Sequence, residues 1–255
     1  MLCVADIGNT HTVLGLFDEE DLKQKWRLRT DPERTTDEWG LVLKSLFELA
    51  NCDMHDASDM VIASVVPQAV HSLSRASVRY FGVEPLVIGP GVKTGLAIRY
   101  ESPREVGADR VVNAVAAFDQ VHKACIVVDF GTATTFDCIS SKGEYLGGVI
   151  SPGIGTSLDA LVTRAAKLPR VEIAKPRNVI GRNTVESIQS GILYGYVSLV
   201  DGLVNRLVKE MGDDVAILAT GGLAGVIASD STTIEKVDQN LTLEGLRLIF
   251  ERNRQ

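Results

Sequence analysis

Two stretches of the chain carry an aspartate and a glycine at the spacing of a tight turn, and the first lies near the N-terminus. In Val4-Ala5-Asp6-Ile7-Gly8-Asn9-Thr10-His11-Thr12-Val13, an apolar run ends at Asp6, and a second apolar run begins after a short polar turn. This pattern predicts a β-hairpin. Gly8 would let backbone N–H groups approach phosphate oxygens, and the Asp6 carboxylate suits a hydrated Mg²⁺. The alternative is a solvated turn with a structural glycine.

The second stretch, residues 126–139, repeats this pattern. At one constant spacing it places Asp129 against Asp6, Gly131 against Gly8 and Thr135 against Thr12. A repeat of this kind indicates that the chain is internally duplicated. Two acidic hairpins in tandem halves predict that the hairpins lie on the two sides of one cleft and that each binds part of a polyphosphate.

A third segment whose residues could take part in chemistry is Gly107-Ala108-Asp109-Arg110, which runs into the apolar helix predicted from Val111 to Phe118. One interpretation is structural, since an aspartate at this place can cap the helix. The other is functional. Asp109 could accept a proton from a substrate hydroxyl, while Arg110 and the free N–H groups of the helix hold a substrate carboxylate.

The composition bounds the class of protein. With 45% hydrophobic and 23% charged residues, the chain can bury one substantial core, or two cores of about 120 residues each. The net charge of −7 argues against general binding to nucleic acid or to anionic membranes. No apolar run approaches the ~20 residues of a membrane span, and no basic segment precedes the first strand. We therefore expect a cytoplasmic protein.

The cysteines and histidines predict neither disulfides nor a zinc site. The four cysteines form no C-x-x-C pair, and most lie in or beside apolar runs, which is typical of free thiols in a reducing compartment. The four histidines are scattered without ligand spacing.

The predicted elements alternate in the same order in both halves. The first half reads βββαβαβ, with helices at residues 36–49 and 68–81 and strands at 60–66 and 85–88. The second half opens with strands at 125–128, 135–139 and 145–150 and a helix at 156–167. It continues with a long helix at 184–211, a strand at 215–218, a short helix after Gly222, a strand near 234–237 and a last helix from Leu243.

This order is that of a ribonuclease-H-like domain, and two of them in tandem resemble the acetate kinase, sugar kinase, Hsp70 and actin superfamily. The resemblance implies an α/β, actin-like ATPase fold that binds ATP in an inter-domain cleft. We expect an N-terminal half at residues 1–118 and a C-terminal half at residues 119–255. The loop Gly89-Pro90-Gly91-Val92-Lys93-Thr94-Gly95 superficially suggests a P-loop, but Val92 stands where the motif requires glycine.

Five segments in order resemble the successive motifs of type III pantothenate kinases, over nearly the full length. They are Asp6-Ile7-Gly8-Asn9-Thr10, residues 89–95, Gly107-Ala108-Asp109-Arg110, Asp129-Phe130-Gly131-Thr132-Ala133-Thr134 and Gly181-Arg182-Asn183-Thr184. The resemblance implies that ATP phosphorylates the primary hydroxyl of pantothenate, the first step toward coenzyme A.

The same resemblance assigns residues to the acceptor substrate. It implies that Asp109 is the proton acceptor and that Thr184 closes the pocket across a homodimer interface formed by the long helix. The residues implied to surround pantothenate are Tyr100, Gly107, Ala108, Asp109, Arg110 and Thr184.

For the nucleotide end, the resemblance implies ATP with Mg²⁺ near Asp6 and a monovalent cation, K⁺ or NH₄⁺, at Asp129. The residues implied to contact ATP are Asp6, Ile7, Gly8, Asn9, Thr10, His11, Thr12, Val13 and Thr132. Asp129 could instead be a second Mg²⁺ ligand, as in other members of the superfamily.

Two other functions remain open from the sequence. A phosphohydrolase of the same superfamily would need a water-activating acid and no pocket for an organic acid. A non-catalytic regulator would use the cleft to sense nucleotide. Three further features have two interpretations each. The turn at Gly221-Gly222 could face adenosine or simply begin a helix, and Gly191 and Gly195 could allow close helix packing within the chain or at a dimer interface. The basic stretch 164–177 is by default a solvated loop, and the alternative is a lid over phosphates.

Overall fold

The computed structural model describes residues 1–165, 167–212 and 214–254. The chain forms two compact units. The first unit contains Met1–Leu96, Glu101–Ala116 and Leu241–Gln255, and the second contains Ala97–Tyr100 and Ala117–Asn240.

The sheet of the first unit has five strands in the order β3-β2-β1-β4-β5. The strands are β1 (Leu2–Ile7), β2 (His11–Asp18), β3 (Asp21–Arg29), β4 (Asp59–Ser64) and β5 (Leu86–Val87). Strands β1, β2 and β3 form an antiparallel meander, whereas β4 and β5 add in parallel. The predicted opening of three antiparallel strands is confirmed.

Helices cover both faces of this first sheet. On one face, α1 (Thr36–Leu49) and α2 (Pro67–Ala76) pack with Trp39, Phe47 and Leu73 in the core. Thr35 begins α1 with a capping box, because its hydroxyl accepts from the N–H of Glu38 and the Glu38 carboxylate accepts from the N–H of Thr35. The chain then makes a π-helical turn at Ser77–Phe81, so the predicted helix 68–81 is α-helical only to Ala76.

The opposite face of the first sheet carries α3 (Ala108–Val121) and α7 (Leu241–Asn253). One apolar cluster joins these two helices to the side chains of β1 and β4 that point to this face. The helix residues in it are Val112, Val115, Leu243, Leu246 and Ile249. The last helix of the chain therefore belongs to the first unit, in contrast to the predicted division at residues 118 and 119, which assigns it to the C-terminal half. The boundary between the two units falls within α3.

The sheet of the second unit has six strands in the order β11-β10-β7-β8-β9-β6. The strands are β6 (Ala97–Ile98), β7 (Cys125–Phe130), β8 (Ala133–Ile139), β9 (Glu144–Pro152), β10 (Ala216–Thr220) and β11 (Lys236–Val237). The helices are α4 (Ile154–Arg164), α5 (Thr184–Met211) and α6 (Ala224–Ala228), whose apolar residues join a core with alternate residues of β7 and β8.

The long helix α5 has the bounds that the sequence predicts. The Asn183 side chain accepts a hydrogen bond from the N–H of Glu186, and Gly212 ends the helix with a left-handed φ of 70°. Within the described ranges, none of the helices is both long and apolar enough to span a membrane.

We predict that Gly245→Ala destabilises the first unit. A Cβ at residue 245 would lie 2.1 Å from the carbonyl oxygen of Val112, so α7 could not keep its present distance from α3. We expect a loss of about 1–3 kcal/mol in the free energy of unfolding, measured by urea titration. The control is Gly225→Ala in α6, where an added Cβ meets nothing within 4 Å. This control should be neutral or stabilising by up to about 1 kcal/mol.

We also predict that Asp201 stabilises the second unit in a pH-dependent way. Its carboxylate accepts from the hydroxyls of Ser231, Thr232 and Thr233 and from the N–H of Thr232, at 2.6–3.0 Å. Burial acts to raise the pKa of Asp201, but these hydrogen bonds outweigh it and lower the pKa from 3.8 to about 2. Because the folded-state pKa is the lower one, the stabilisation is complete above about pH 4 and declines as the pH falls toward 2.

Asp201→Asn should therefore lower the free energy of unfolding by about 1–3 kcal/mol at pH 7, measured by urea titration. The difference from the wild type should shrink between pH 4 and pH 3. Asp159→Asn, which removes an exposed ion pair with Arg170, should cost less than about 1 kcal/mol. A difference at Asp201 that stays constant down to pH 3 would contradict the argument.

Candidate active site

The first predicted phosphate-binding turn is the hairpin between β1 and β2. Asp6 pairs with Val13 and Ile7 pairs with Thr12, and the N–H of Gly8 closes the turn by donating to the carbonyl oxygen of His11 at 3.0 Å. A Cβ at Gly8 would lie 3.1 Å from that oxygen, so a side chain there would require the turn to shift by a few tenths of an ångström. Asn9, Thr10 and His11 are exposed at the tip, whereas Asp6 is half-buried.

Thr30 fixes the shape of this turn, and the sequence analysis did not identify it. Its hydroxyl donates to the carbonyl oxygen of Gly8 at 2.7 Å and lies 3.0 Å from the hydroxyl of the fully buried Thr12. Its N–H donates to the carbonyl oxygen of Thr10 at 3.0 Å. A threonine at the polar end of a strand is the signal in the sequence, but its partners could not be assigned without the register of β2 and β3.

His11 is held in a form that does not add positive charge to the turn. Its Nδ1 lies 3.1 Å from Nη2 of Arg27. Partial burial and the charge of Arg27 both lower the pKa of His11 from 6.5. His11 is therefore neutral at pH 7, and Arg27 carries the positive charge beside the turn.

The Gly107-Ala108-Asp109-Arg110 segment forms the first turn of α3. Asp109 is the second residue of the helix and Gly107 precedes it, so Asp109 does not occupy the N-cap position itself. The Asp109 carboxylate folds back over Gly107, since a Cβ there would lie 2.4 Å from Oδ1 of Asp109. Oδ1 also accepts from the N–H of Arg110 at 2.9 Å. Asp109 is half-buried, and Arg110 is only 8% exposed.

The second acidic hairpin joins β7 and β8 in the second unit. Asp129 pairs with Thr135, and the N–H of Gly131 closes the turn by donating to the carbonyl oxygen of Ala133 at 3.0 Å. Gly221, at the end of β10, packs directly on Asp129. Its φ is 95°, and a Cβ there would lie 2.6 Å from Oδ1 of Asp129 and 2.7 Å from the backbone of Phe130.

The two hairpins are alike but not identical. In the first, Thr12 pairs with Ile7, and in the second, Thr134 pairs with the equivalent Phe130. Thr134, and not Thr135, is therefore the counterpart of Thr12, and both are fully buried. The predicted constant spacing ends at the turn because the second loop is one residue shorter.

Thr132 is exposed at the tip of this second turn. Its carbonyl oxygen accepts from the N–H of Gly153 at 3.1 Å and from the hydroxyl of Thr156 at 2.8 Å. The start of α4 thus holds the turn in place. A Cβ at Gly153 would lie 2.3 Å from the same oxygen, so this contact also requires glycine.

Tyr100 lies in the second unit and not with the Gly107–Arg110 segment in the first. Its ring lies 6.4 Å from the ring of Tyr145, and a Cβ at Gly147 would lie 3.5 Å from the Tyr100 ring. Thr184 is exposed at the first residue of α5. It lines an open groove of about 750 Å³ that lies between α4 and α5. The groove residues are Leu161, Leu168, Gly181, Arg182, Asn183, Thr184, Ser187, Ile188, Gly191 and Ile192.

The loop at residues 89–95 does not form a P-loop. Asn253 of α7 bonds both the N–H and the carbonyl oxygen of Lys93, at 3.0 and 2.9 Å, and Arg252 donates to the carbonyl oxygen of Thr94. A P-loop instead presents free N–H groups and leads into a helix. Here the loop leads into β6, and its backbone is engaged by the C-terminal helix.

The residues present fit the metals that the fold implies. In the part of the chain that is described, no three His, Cys, Asp or Glu side chains converge as a metal cage. Mg²⁺ bound with ATP does not need one, since phosphates and waters supply most of its ligands. Beside Asp129, a Cβ at Gly221 would lie 2.6 Å from Oδ1 of the carboxylate and 2.7 Å from the carbonyl oxygen of Phe130, so both oxygens lie close to this glycine. A carboxylate next to a main-chain carbonyl oxygen is a donor set that fits a monovalent cation.

Solved structures with the same fold include proteins of low sequence identity. A protein from Campylobacter jejuni described as a conserved putative Baf family transcriptional activator matches 99% of this chain and 98% of its own, with 18% identity and a TM-score of 0.60. The (R)-2-hydroxyglutaryl-CoA dehydratase component A of Acidaminococcus fermentans matches 100% and 99%, with 14% identity and a TM-score of 0.57. At these identities the similarity shows the fold alone, and the predicted α/β, actin-like ATPase fold is confirmed.

Curated relatives are much closer in sequence. The type III pantothenate kinase of Geotalea uraniireducens (strain Rf4) is 54% identical over 255 residues, and that of Anaeromyxobacter sp. (strain Fw109-5) is 56% identical over 254 residues. Both matches cover 100% of each chain. The family model for type III pantothenate kinase matches residues 1–206. The chain therefore belongs to the type III pantothenate kinase family.

Proposed function

We propose that this protein transfers the γ-phosphoryl group of ATP to the primary hydroxyl of pantothenate and so forms 4′-phosphopantothenate, the first step of coenzyme A biosynthesis. The observation that carries the proposal is family membership over the full length. The chain also retains Asp6, Asp109 and Asp129, and all three lie in the described part of the structure. A shared cleft for these carboxylates remains a prediction.

For the acceptor substrate, we assign the chemistry to the first turn of α3. Asp109 has one carboxylate oxygen bonded to the N–H of Arg110, so its orientation is fixed before substrate binds. It accepts the proton of the pantothenate hydroxyl. The buried Arg110 and the positive end of the helix dipole hold the pantothenate carboxylate. Gly107 and Ala108 belong to the same segment and complete this assignment. In the second unit, we assign a pantothenate contact to Tyr100 on the basis of family membership.

For the nucleotide, we assign phosphate contacts to the turn at residues 6–13 and to Thr132. Both turns are closed by a glycine N–H and held from outside, by Thr30 and by the start of α4. Rigid donors cost little reorganisation when charge spreads over the transferred phosphoryl group, and this positioning outweighs proton abstraction in a loose transition state. When bound, Mg²⁺ near Asp6 neutralises phosphate charge.

We assign a monovalent cation, K⁺ or NH₄⁺, to Asp129. The carboxylate is half-buried, and Gly221 packs on it closely enough that a Cβ there would lie 2.6 Å from Oδ1. Mg²⁺ would be the alternative occupant, and the two ions differ in the ligand geometry that they demand. The cation supplies local positive charge next to the second phosphate-binding turn.

We further propose that the enzyme is a cytoplasmic homodimer. The groove beside Thr184 is lined by Leu161, Ile188 and Gly191, and the nearby Val179 and Ile180 are 65% and 82% exposed. Exposed apolar side chains beside a groove with a glycine on its helix are typical of a protein interface. The cysteines Cys3, Cys52, Cys125 and Cys138 are free, which is typical of a reducing compartment.

We predict that Asp109→Asn lowers kcat by about 10²–10⁴-fold, because the amide keeps the shape of the carboxylate but cannot accept the proton. The measurement is a coupled assay for ADP with ATP, Mg²⁺ and pantothenate. Glu48→Gln, an exposed change on α1, is the matched control and should leave kcat unchanged. Release of phosphate at an equal rate without pantothenate would instead identify a hydrolase. An Asp109→Asn enzyme with an unchanged kcat would contradict the role assigned to Asp109.

We predict that Asp129→Asn raises the KCl concentration for half-maximal activity by at least about tenfold, because the amide removes the charge that attracts the cation. The assay varies KCl at constant ionic strength and repeats the titration with MgCl₂. The half-saturating Mg²⁺ concentration should stay within about twofold of the wild type. A change confined to Mg²⁺ would assign Asp129 to the divalent ion.

A further inference from the structure

A fully buried carboxylate lies in the middle of the second sheet, outside the residues assigned above. Asp137 on β8 and Tyr145 on β9 are both 0% exposed. The Tyr145 hydroxyl donates to Oδ1 of Asp137 at 2.7 Å, and the Thr135 hydroxyl donates to Oδ2 at 3.3 Å. A buried carboxylate is costly unless it is hydrogen bonded, so it favours both contacts, the Tyr145 bond being short and the Thr135 bond long for two oxygens.

An irregularity in β9 creates the contact between Tyr145 and Asp137. Asp137 pairs with Gly148 and Cys138 pairs with Gly147, but Ile139 pairs with Tyr145, so Leu146 is an extra residue in the strand. Side chains alternate between the faces of a sheet. Without the bulge, Tyr145 and Gly148 would point to opposite faces, and Tyr145 could not reach the Asp137 carboxylate. Bulges are a recurrent means of redirecting a side chain next to a functional site.

Each partner of Asp137 leads to a residue of the proposed active site. Tyr145 packs against Tyr100, with ring centroids 6.4 Å apart, and its carbonyl oxygen accepts from the N–H of Arg99 at 2.8 Å. Thr135 is the cross-strand partner of Asp129. Asp129, Thr135 and Asp137 alternate with Val128, Thr134 and Phe136, and therefore lie on one face, opposite the apolar core of the unit.

We propose that Asp137 is a positioning residue that orients the pantothenate pocket through Tyr145 and Tyr100, and the monovalent-cation site through Thr135 and Asp129. The inference rests on the proposed function for the roles of Tyr100 and Asp129. Asp137 itself does not touch substrate in this scheme. Its two oxygens serve two sites, one oxygen for each.

Because each oxygen of Asp137 accepts from a different hydroxyl, the effects on pantothenate binding and on K⁺ binding can be tested with separate variants. Tyr145→Phe removes one hydroxyl and should weaken pantothenate binding about tenfold, the effect of losing one hydrogen bond to a charged group. Thr135→Val removes the other hydroxyl and should raise the K⁺ concentration at half-saturation about 10- to 100-fold, as loss of an outer-shell partner does at metal sites. Asp137→Asn should shift both constants.

The experiment measures binding in addition to turnover. Pantothenate affinity is obtained by isothermal titration calorimetry at saturating KCl, and K⁺ affinity from the melting temperature against KCl at constant ionic strength set with choline chloride. Tyr80→Phe is the matched control, since Tyr80 also donates to an aspartate, Asp37, at 2.6 Å, in the first unit. This control should leave both constants within about twofold of the wild type, the scatter expected of a surface substitution.

The proposal predicts that Tyr145→Phe moves only the pantothenate constant and that Thr135→Val moves only the K⁺ constant. It is overturned if both variants lower the melting temperature but leave both constants unchanged, which is the behaviour of a purely structural network, or if they move the same constant. The single-hydroxyl variants decide the matter even if Asp137→Asn does not fold. Wild-type protein that fails to bind pantothenate would overturn the proposed function itself, and the inference with it.

Discussion

The structure depends on one backbone hydrogen bond in each sheet, the bond by which a glycine N–H closes the first hairpin. Gly8 donates to His11 and Gly131 donates to Ala133. Each bond ends β pairing just beyond an aspartate, so the carboxylate stays at the edge of regular structure while its neighbours continue into a rigid sheet. Because the turn is closed by main-chain atoms, its exposed side chains are not needed to hold it shut. Both hairpins are then held from outside, one by Thr30 and the other by the start of α4.

Close contacts that only glycine allows recur at the other segments of the proposed site. Gly107 lies under the Asp109 carboxylate, Gly221 lies against Asp129, and Gly181 lies against the N–H of Ser187 in the first turn of α5. In each case the missing Cβ lets a functional or capping group pack on the main chain. Such sites are preorganised by backbone geometry, and long side chains with many rotamers are not needed to build them. Because backbone geometry alone preorganises these sites, the motifs can be short and rich in glycine.

Much of this could be predicted from the sequence, because the signals are local. The hairpins follow from apolar runs interrupted by polar turns, and α5 has the predicted bounds because Asn183 and Gly212 are strong terminal signals. Features that depend on register could not be predicted. The second loop is one residue shorter than the first, Thr30 reaches across from β3, and the bulge at Leu146 brings Tyr145 to Asp137. The two-residue strand β6 is too short to show any periodicity.

The placement of α7 has a consequence for how the protein is made. Its Leu243, Leu246 and Ile249 pack with Leu2, Val4 and Phe17 from the opposite end of the chain. During translation, the N-terminal strands therefore leave the ribosome long before the helix that covers them exists. Until residues 241–253 have been made, the part of the first sheet that α7 covers stays open to water and to chaperones. Termination of translation before residue 241 would thus leave the core around Leu2, Val4 and Phe17 incomplete.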